Sequence, residues 1–301
     1  MTHRFSGLIA ATFTPMDANG AIALDRVPAI VEHLRTQRVS AMFIGGSTGE
    51  GPSMSTAERK HVAEAYVACA TNGIKSIVHV GHSSLTDAMA LASHAGGLGA
   101  DAIAAAPPTY YPIPDARTLA ASLERIASAA PNLPFFYYHI PRLTNVDIDI
   151  VALLDEVKDR VPNFAGVKFS AFEFDVLQRC VVEFGNRFTM LFGSDEMMLQ
   201  GLSAGAAGAI GSTYNFMGRL YAEIIELYEH GDLVAARRLQ AVAARIVHMI
   251  IKHPAHPALK ATMAIAGVDC GPPRLPLVGL DEAALATLKS DLRTAGFFEW
   301  T

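Results

Sequence analysis

The sequence predicts an α/β chain: a (β/α)8 TIM barrel with a C-terminal helical extension. Three observations predict it. Short apolar runs recur eight times, at residues 8–11, 41–44, 77–79, 102–105, 135–138, 165–168, 189–192 and 207–210. Each run is apolar on successive residues rather than on alternate ones, as strands covered on both faces are. Helical patterns fill the gaps, and strand–helix alternation builds parallel strands through crossover helices. Eight such units favour closure into a barrel. A doubly wound open sheet is the competing topology.

The helices follow from local signals. Ser55 is followed three residues later by Glu58, a capping box that opens a helix over 55–70. Val62, Ala65, Tyr66 and Cys69 then fall at helical spacing. Residues 86–95 and 119–130 read the same way. Strand signals stop after about Tyr214, and 219–230, 233–252, 257–266 and 281–295 all read as helices, punctuated by Pro254, Pro257, Pro272, Pro273 and Pro276. The first of these completes the barrel. The expected division is therefore a catalytic barrel over residues 1–230 and an all-helical extension over 231–301.

Composition excludes several function classes. With 51% hydrophobic and 18% charged residues in 301, the chain has material for a large core and is neither disordered nor fibrous. Its formal net charge of -5 carries no basic excess of the kind a nucleic-acid binder shows. No apolar run reaches the roughly 18 residues of a membrane span. Residues 1–11 hold one Arg and too short an apolar stretch for a secretory leader. Cys69, Cys180 and Cys270 are scattered, with neither metal nor disulfide spacing, so a cytoplasmic, reducing location is expected.

In a barrel of this class the chemistry sits at the carboxyl ends of the strands. Lys168 ends the sixth run, Phe164-Ala165-Gly166-Val167-Lys168-Phe169. An amine placed there among apolar neighbours is expected to lose its charge easily and to attack a ketone, forming a Schiff base. The bland alternative is a buried stem whose head snorkels to water. Tyr137-Tyr138 ends the fifth run. A phenol beside a cationic iminium can shuttle protons, and alternation lets only one of the two point into the barrel. Gly45-Gly46-Ser47-Thr48-Gly49-Glu50 follows the second run. Its backbone N–H groups and two hydroxyls suit a carboxylate. It also matches the G-x-S-x-G elbow of serine hydrolases, with Asp195 and then His248, His253 or His256 in the right order; a plain turn is the third reading. Gly193-Ser194-Asp195-Glu196 places two acids at a strand end, to bind sugar hydroxyls, to act as acid and base, or, with Ser194 or Asp195, to cap a helix over 196–204. His79/His82 and His253/His256 have the look of metal pairs. Residues three apart on a strand face opposite sides, and Pro254 and Pro257 disrupt the second pair, so no metal is expected at either. No dinucleotide fingerprint occurs, and no organic cofactor is expected.

Five motifs in order, Gly45–Glu50 (GGSTGE), Tyr138–Pro141 (YHIP), Gly166–Phe169 (GVKF), Gly193–Glu196 (GSDE) and Gly211–Asn215 (GSTYN), carry a resemblance. Together they make the chain similar to the dihydrodipicolinate synthase / N-acetylneuraminate lyase family of Schiff-base aldolases, from about Phe5 through the barrel and more weakly in the tail. The resemblance implies that Lys168 is the Schiff-base lysine and Tyr138 the proton-transfer tyrosine. It implies that Ser47 and Thr48 hold the carboxylate of a 2-keto acid, and that Tyr110 is lent to a neighbouring subunit in a homotetramer, a dimer of dimers. Leu143 stands where the synthase branch has Arg, with Arg142 one position early. Ser47, Ser170, Gly193, Asp195, Glu196 and Ser212 match the lyase branch, the last four as polyol-binding positions and Ser170 as the hydroxyl the lyases carry after the lysine. Two residues depart from the pattern: Asn145 replaces a common glycine, and His139 stands where many bacterial members have Asn. The expected activity is cleavage of a 2-keto-3-deoxy sugar acid, foremost N-acetylneuraminate, to pyruvate and an aldehyde. A 2-keto-3-deoxygluconate-type aldolase and a dihydrodipicolinate synthase are the near alternatives. A hydrolase using Ser47 and a catalytically silent keto-acid sensor are the distant ones.

Overall fold

The computed structural model describes residues 5–71 and 73–301. The first four residues of the stretch read for a leader therefore lie outside it. Each of the eight apolar runs forms a strand: β1 (Gly7–Ala11), β2 (Ala41–Ile44), β3 (Lys75–His79), β4 (Ala102–Ala105), β5 (Phe135–His139), β6 (Phe164–Phe169), β7 (Thr189–Phe192) and β8 (Gly208–Gly211). All pair in parallel with their sequence neighbours, and β1 pairs with β8, so the sheet closes into a barrel and the open-sheet topology is excluded. The helices are α1 (Val27–Thr36), α2 (Thr56–Ala68), α3 (Leu85–Leu98), α4 (Ala116–Ser128), α5 (Pro141–Thr144), α6 (Ile150–Arg160), α7 (Phe174–Phe184), α8 (Met198–Ser203), α9 (Tyr214–Glu229), α10 (Leu233–Ile251), α11 (Ala255–Ile265) and α12 (Glu282–Ala295).

The apolar-on-every-residue pattern has a direct cause in the two cores. Leu8, Ala10, Met42, Ile44, Ile103 and Ala105 face outward into the layer between strands and helices. Their chain neighbours Ile9, Ala11, Ala41, Phe43, Ala102 and Ala104 face inward and fill the barrel. Both sets are buried, so alternation in space leaves no alternation in hydropathy.

Two helix expectations change in detail. The eighth barrel helix begins at Tyr214 rather than Arg219, and its path breaks at Met217 (φ -141°). The Asn215 amide donates to Ala11 O and Ser212 O, both at 2.7 Å, which fastens the helix start across the β8–β1 seam. The helix expected over 196–204 is a 3-10 turn, Asp195–Met197, running into the short α8, and Ser194 makes no side-chain cap. Among the described residues no helix is long and apolar enough to cross a membrane.

The capping box at Ser55 and Glu58 is complete. Glu58 also receives both arms of the Arg274 guanidinium, at 3.0 and 2.7 Å, and so ties α2 to the C-terminal segment. Arg274 holds the Glu58 carboxyl down to about 2, against an ordinary 4.5. A depressed acid stabilises the fold fully above its unfolded value and loses that contribution as pH falls toward the folded one. Urea unfolding of the parent should therefore show a midpoint that drops between about pH 5 and pH 2. Glu58→Gln should start lower at neutral pH and show a flatter slope across that window.

Candidate active site

β5 and β6 lie side by side with Tyr138 and Lys168 in register. Tyr137 packs outward, as do Val167 and Phe169, so their neighbours Tyr138 and Lys168 both turn into the barrel. The Lys168 amine stands 3.9 Å from the centroid of the Tyr138 ring and 4.4 Å from that of Phe43. Lys168 is only 4% exposed, which rules out a head that snorkels to solvent. His79, also facing inward, meets the Tyr138 ring edge-on at 6.0 Å. Its Nε2 accepts from the Ala106 N–H at 3.1 Å, while Arg59 donates to the His79 carbonyl at 2.7 Å. Burial, then the positive charges of Arg59 and Lys168, push its imidazole well below the usual range. The ring is thus neutral.

A cavity of about 340 Å³ begins two residues beyond Lys168. Ser170, Gly193, Asp195, Glu196 and Ser212 all line it together with Ile140, so the ends of β5, β6, β7 and β8 converge there. Thr48 Oγ1 lies 2.6 Å from Ser212 Oγ, which joins the Ser47–Thr48 turn to this wall. Tyr110 is elsewhere: it is 81% exposed in the loop after β4, with its ring edge-on to that of Tyr111 at 5.0 Å.

The profile of the dihydrodipicolinate synthetase family matches residues 4–295. The chain belongs to that family. It is 39% identical over 302 residues to the N-acetylneuraminate lyase of Rattus norvegicus, covering 99% of this chain and 94% of that one. It is 42% identical to N-acetylneuraminate lyase A of Xenopus laevis, covering 91% of each. Among solved structures, the Proteus mirabilis N-acetylneuraminate lyase superposes with a TM-score of 0.94 at 32% identity over 97% of this chain and 99% of that one. The Ruminococcus gnavus sialic acid aldolase, solved as its catalytic lysine mutant, superposes with a TM-score of 0.94 at 30% identity, covering 100% and 99%.

Within this family member, Asp195 is the most constrained side chain of the cavity. Its Oδ2 accepts from the Thr213 N–H at 2.8 Å and lies 2.7 Å from Thr213 Oγ1. The Tyr221 hydroxyl backs Thr213 Oγ1 at 3.1 Å. A Cβ on Gly211 would stand 1.8 Å from Asp195 Oδ1, so only glycine leaves room for the carboxylate. Gln240, on α10, donates to the Asp195 carbonyl at 3.2 Å and accepts from the Leu199 N–H at 2.9 Å. Asp195 thus caps nothing. Thr213 and Gln240 are site-building residues that sequence reasoning missed. Thr213 sat inside a recognised motif, whereas Gln240 gave no signal in a long helical pattern.

The hydrolase reading fails on geometry. Asp195 is committed to Thr213, not to a histidine. His248 is exposed, and His256 Nε2 lies 4.0 Å from Glu50 Oε1. In the first histidine pair His82 Nδ1 accepts from the Ser84 N–H, and among the described residues no three His, Cys, Asp or Glu side chains group together. The two departures from the family pattern lie outside the cavity. His139 packs outward, its ring 5.2 Å from that of Phe169. Asn145 closes α5 at φ 53°, a left-handed position that asparagine tolerates better than other non-glycine residues. Arg142 does line the cavity, its guanidinium 5.7 Å from the Phe172 ring centroid.

Burial pushes the Asp195 carboxyl up to about 6, against the opposing pull of its Thr213 hydrogen bonds. A raised acid binds its proton more tightly in the folded state than in the unfolded one. Its contribution to stability is therefore present below about pH 4 and lost as pH rises through about 6. Asp195→Asn, which keeps the shape and cannot ionise, should flatten thermal stability between those values. Melting curves of both proteins at half-unit pH steps test this.

Proposed function

We propose that the chain is a Schiff-base aldolase that cleaves N-acetylneuraminate to N-acetylmannosamine and pyruvate. The observation that carries the reading is a buried lysine amine 3.9 Å from a tyrosine ring, two residues before the cavity-lining Ser170, in a chain about 40% identical to N-acetylneuraminate lyases over nearly its full length.

The chemistry follows from the groups. The open-chain substrate presents a C2 ketone, and its carboxylate meets the Ser47 and Thr48 hydroxyls and the N–H groups of their turn. The free-base amine of Lys168 adds to C2, and loss of water leaves a protonated imine. That cation is an electron sink. Tyr138 takes the proton of the C4 hydroxyl, the C3–C4 bond breaks, and its electron pair enters the enamine. N-acetylmannosamine leaves. Protonation at C3 and hydrolysis of the imine release pyruvate and restore the amine. Ser170, Gly193, Asp195, Glu196 and Ser212 are the positions that read the polyol chain. Asp195 accepts from Thr213 and Glu196 offers acceptors, which suits a substrate rich in hydroxyl donors. In this scheme electron withdrawal comes from the imine, so neither a metal nor an organic cofactor has a step to perform.

The same reading gives Tyr110 and Tyr111 their place. Two large aromatics 81% and 78% exposed are what a subunit contact covers. We assign them to the interface of a homotetramer, a dimer of dimers. The catalytic unit is the barrel of residues 1–230, with the helices of 231–301 supplying an outer wall through Val247, Ile250, Ile251 and Leu259. Three free thiols suit a cytoplasmic enzyme.

Incubation with pyruvate and borohydride, followed by intact mass and peptide mapping, tests the chemistry. A stable adduct on Lys168 is expected, absent in Lys168→Ala, whose turnover of N-acetylneuraminate should fall by at least about 10⁴-fold. No adduct on folded protein would sink the Schiff-base class. Assaying N-acetylneuraminate beside 2-keto-3-deoxygluconate, and pyruvate with aspartate semialdehyde, ranks the substrates. Tyr110→Ala should lower turnover and weaken assembly in light scattering; a fully active, stable monomer would remove the subunit assignment.

A further inference from the structure

Behind the Ser47–Thr48 turn lies a buried ion pair that the chemistry above does not use. Glu50 Oε1 is 2.8 Å from Lys260 Nζ, and the two side chains are 0% and 1% exposed. Each partner is held further. Glu50 Oε2 accepts from the Arg274 N–H at 2.8 Å, and Lys260 Nζ also donates to the Pro272 carbonyl at 2.9 Å. Ion pairs this deep contribute little net stability, because desolvating both charges offsets their attraction. They do fix geometry, because either charge alone is costly to bury.

The geometry fixed here is that of the turn. Glu50 sits at φ 56°, in the left-handed region that non-glycine residues rarely adopt. Its N–H donates to Ser47 O at 3.0 Å, and a Cβ on Gly51 would fall 2.0 Å from Gly45 O, so residues 45–51 fold tightly back on themselves. Thr14 Oγ1 donates to Gly49 O at 2.6 Å and fixes the turn from the β1 side. From the opposite side its anchor is Lys260. That lysine follows Leu259 on α11, and Leu259 lines the cavity. One helix of the tail therefore touches both the cavity wall and the turn.

We propose that Glu50 and Lys260 act as a positioning pair, through which α11 holds the Ser47 and Thr48 hydroxyls at the place a keto-acid carboxylate occupies. The proposal rests on the assignment of Ser47 and Thr48 to that carboxylate. It separates the pair from an ordinary structural contact: its loss weakens keto-acid binding through the turn and leaves imine formation at saturation intact.

Borohydride trapping titrated with pyruvate on the full chain tests it, with folding checked by circular dichroism and a cooperative melt. Glu50→Gln/Lys260→Met removes both charges together, and Glu50→Asp keeps the charge while shortening the arm by one methylene, so a fold-competent variant remains if the first fails. The expected result is a half-saturating pyruvate concentration raised about tenfold or more, with the parent's adduct yield at saturation. In a Ser47→Ala background the same changes should add far less than the product of the separate effects, because both act on one turn. Folded pair variants with the parent's half-saturation, or effects that multiply in full with Ser47→Ala, would overturn the proposal. If Ser47→Ala alone leaves half-saturation unchanged, the carboxylate assignment falls and the proposal with it. Absence of any adduct in the parent overturns the Schiff-base reading itself.

Discussion

Closing eight parallel strands into a ring leaves each inward side chain no freedom to choose its neighbours, and the site depends on that constraint. Tyr138 faces Lys168 because β5 and β6 pair in that register. A slip of one residue would turn both out of the barrel and bring Tyr137 and Val167 inward. The aromatic cluster of Phe43, His79 and Tyr138 then packs against the amine.

Charge is distributed with the same economy around the cavity. His79 is neutral, Asp195 is lifted toward neutrality by burial, and the buried Glu50 and Lys260 satisfy one another. Two of the polar groups that line the cavity are oriented by hydrogen-bond partners. Thr213 and Gln240 hold Asp195, and Ser212 meets Thr48. Preorganisation of this kind removes the need to order these groups again when a ligand arrives.

The helical tail is part of this arrangement. α10 provides Gln240 under Asp195 and the apolar residues Val247, Ile250 and Ile251 along the cavity, while α11 provides Leu259 and Lys260. Arg274, beyond α11, grips Glu58 on α2 and donates its backbone N–H to Glu50. A barrel alone exposes its strand ends to water; here the tail covers one side of the mouth and braces two of the turns that line it.

What the sequence by itself determined is the periodic part. Eight runs buried on both faces, helices between them, and the capping box at Ser55 were all legible because local pattern and tertiary environment agree there. The placement of Lys168, Tyr138, Ser47 and Thr48 at strand ends was legible too, because strand ends are marked by a switch from apolar to polar residues, whereas Ser170 and Ser212 entered only through the family resemblance. Tertiary structure alone decided which groups meet. Asp195 could have capped a helix, but closure of β7 against β8 placed Thr213 nearer. Lys260 was a lone charge in the apolar stretch Pro257 to Ala266, and its partner lies 210 positions earlier by residue number, at Glu50. No local pattern encodes a contact of that range. It exists only after the ring has closed and the tail has folded across its mouth.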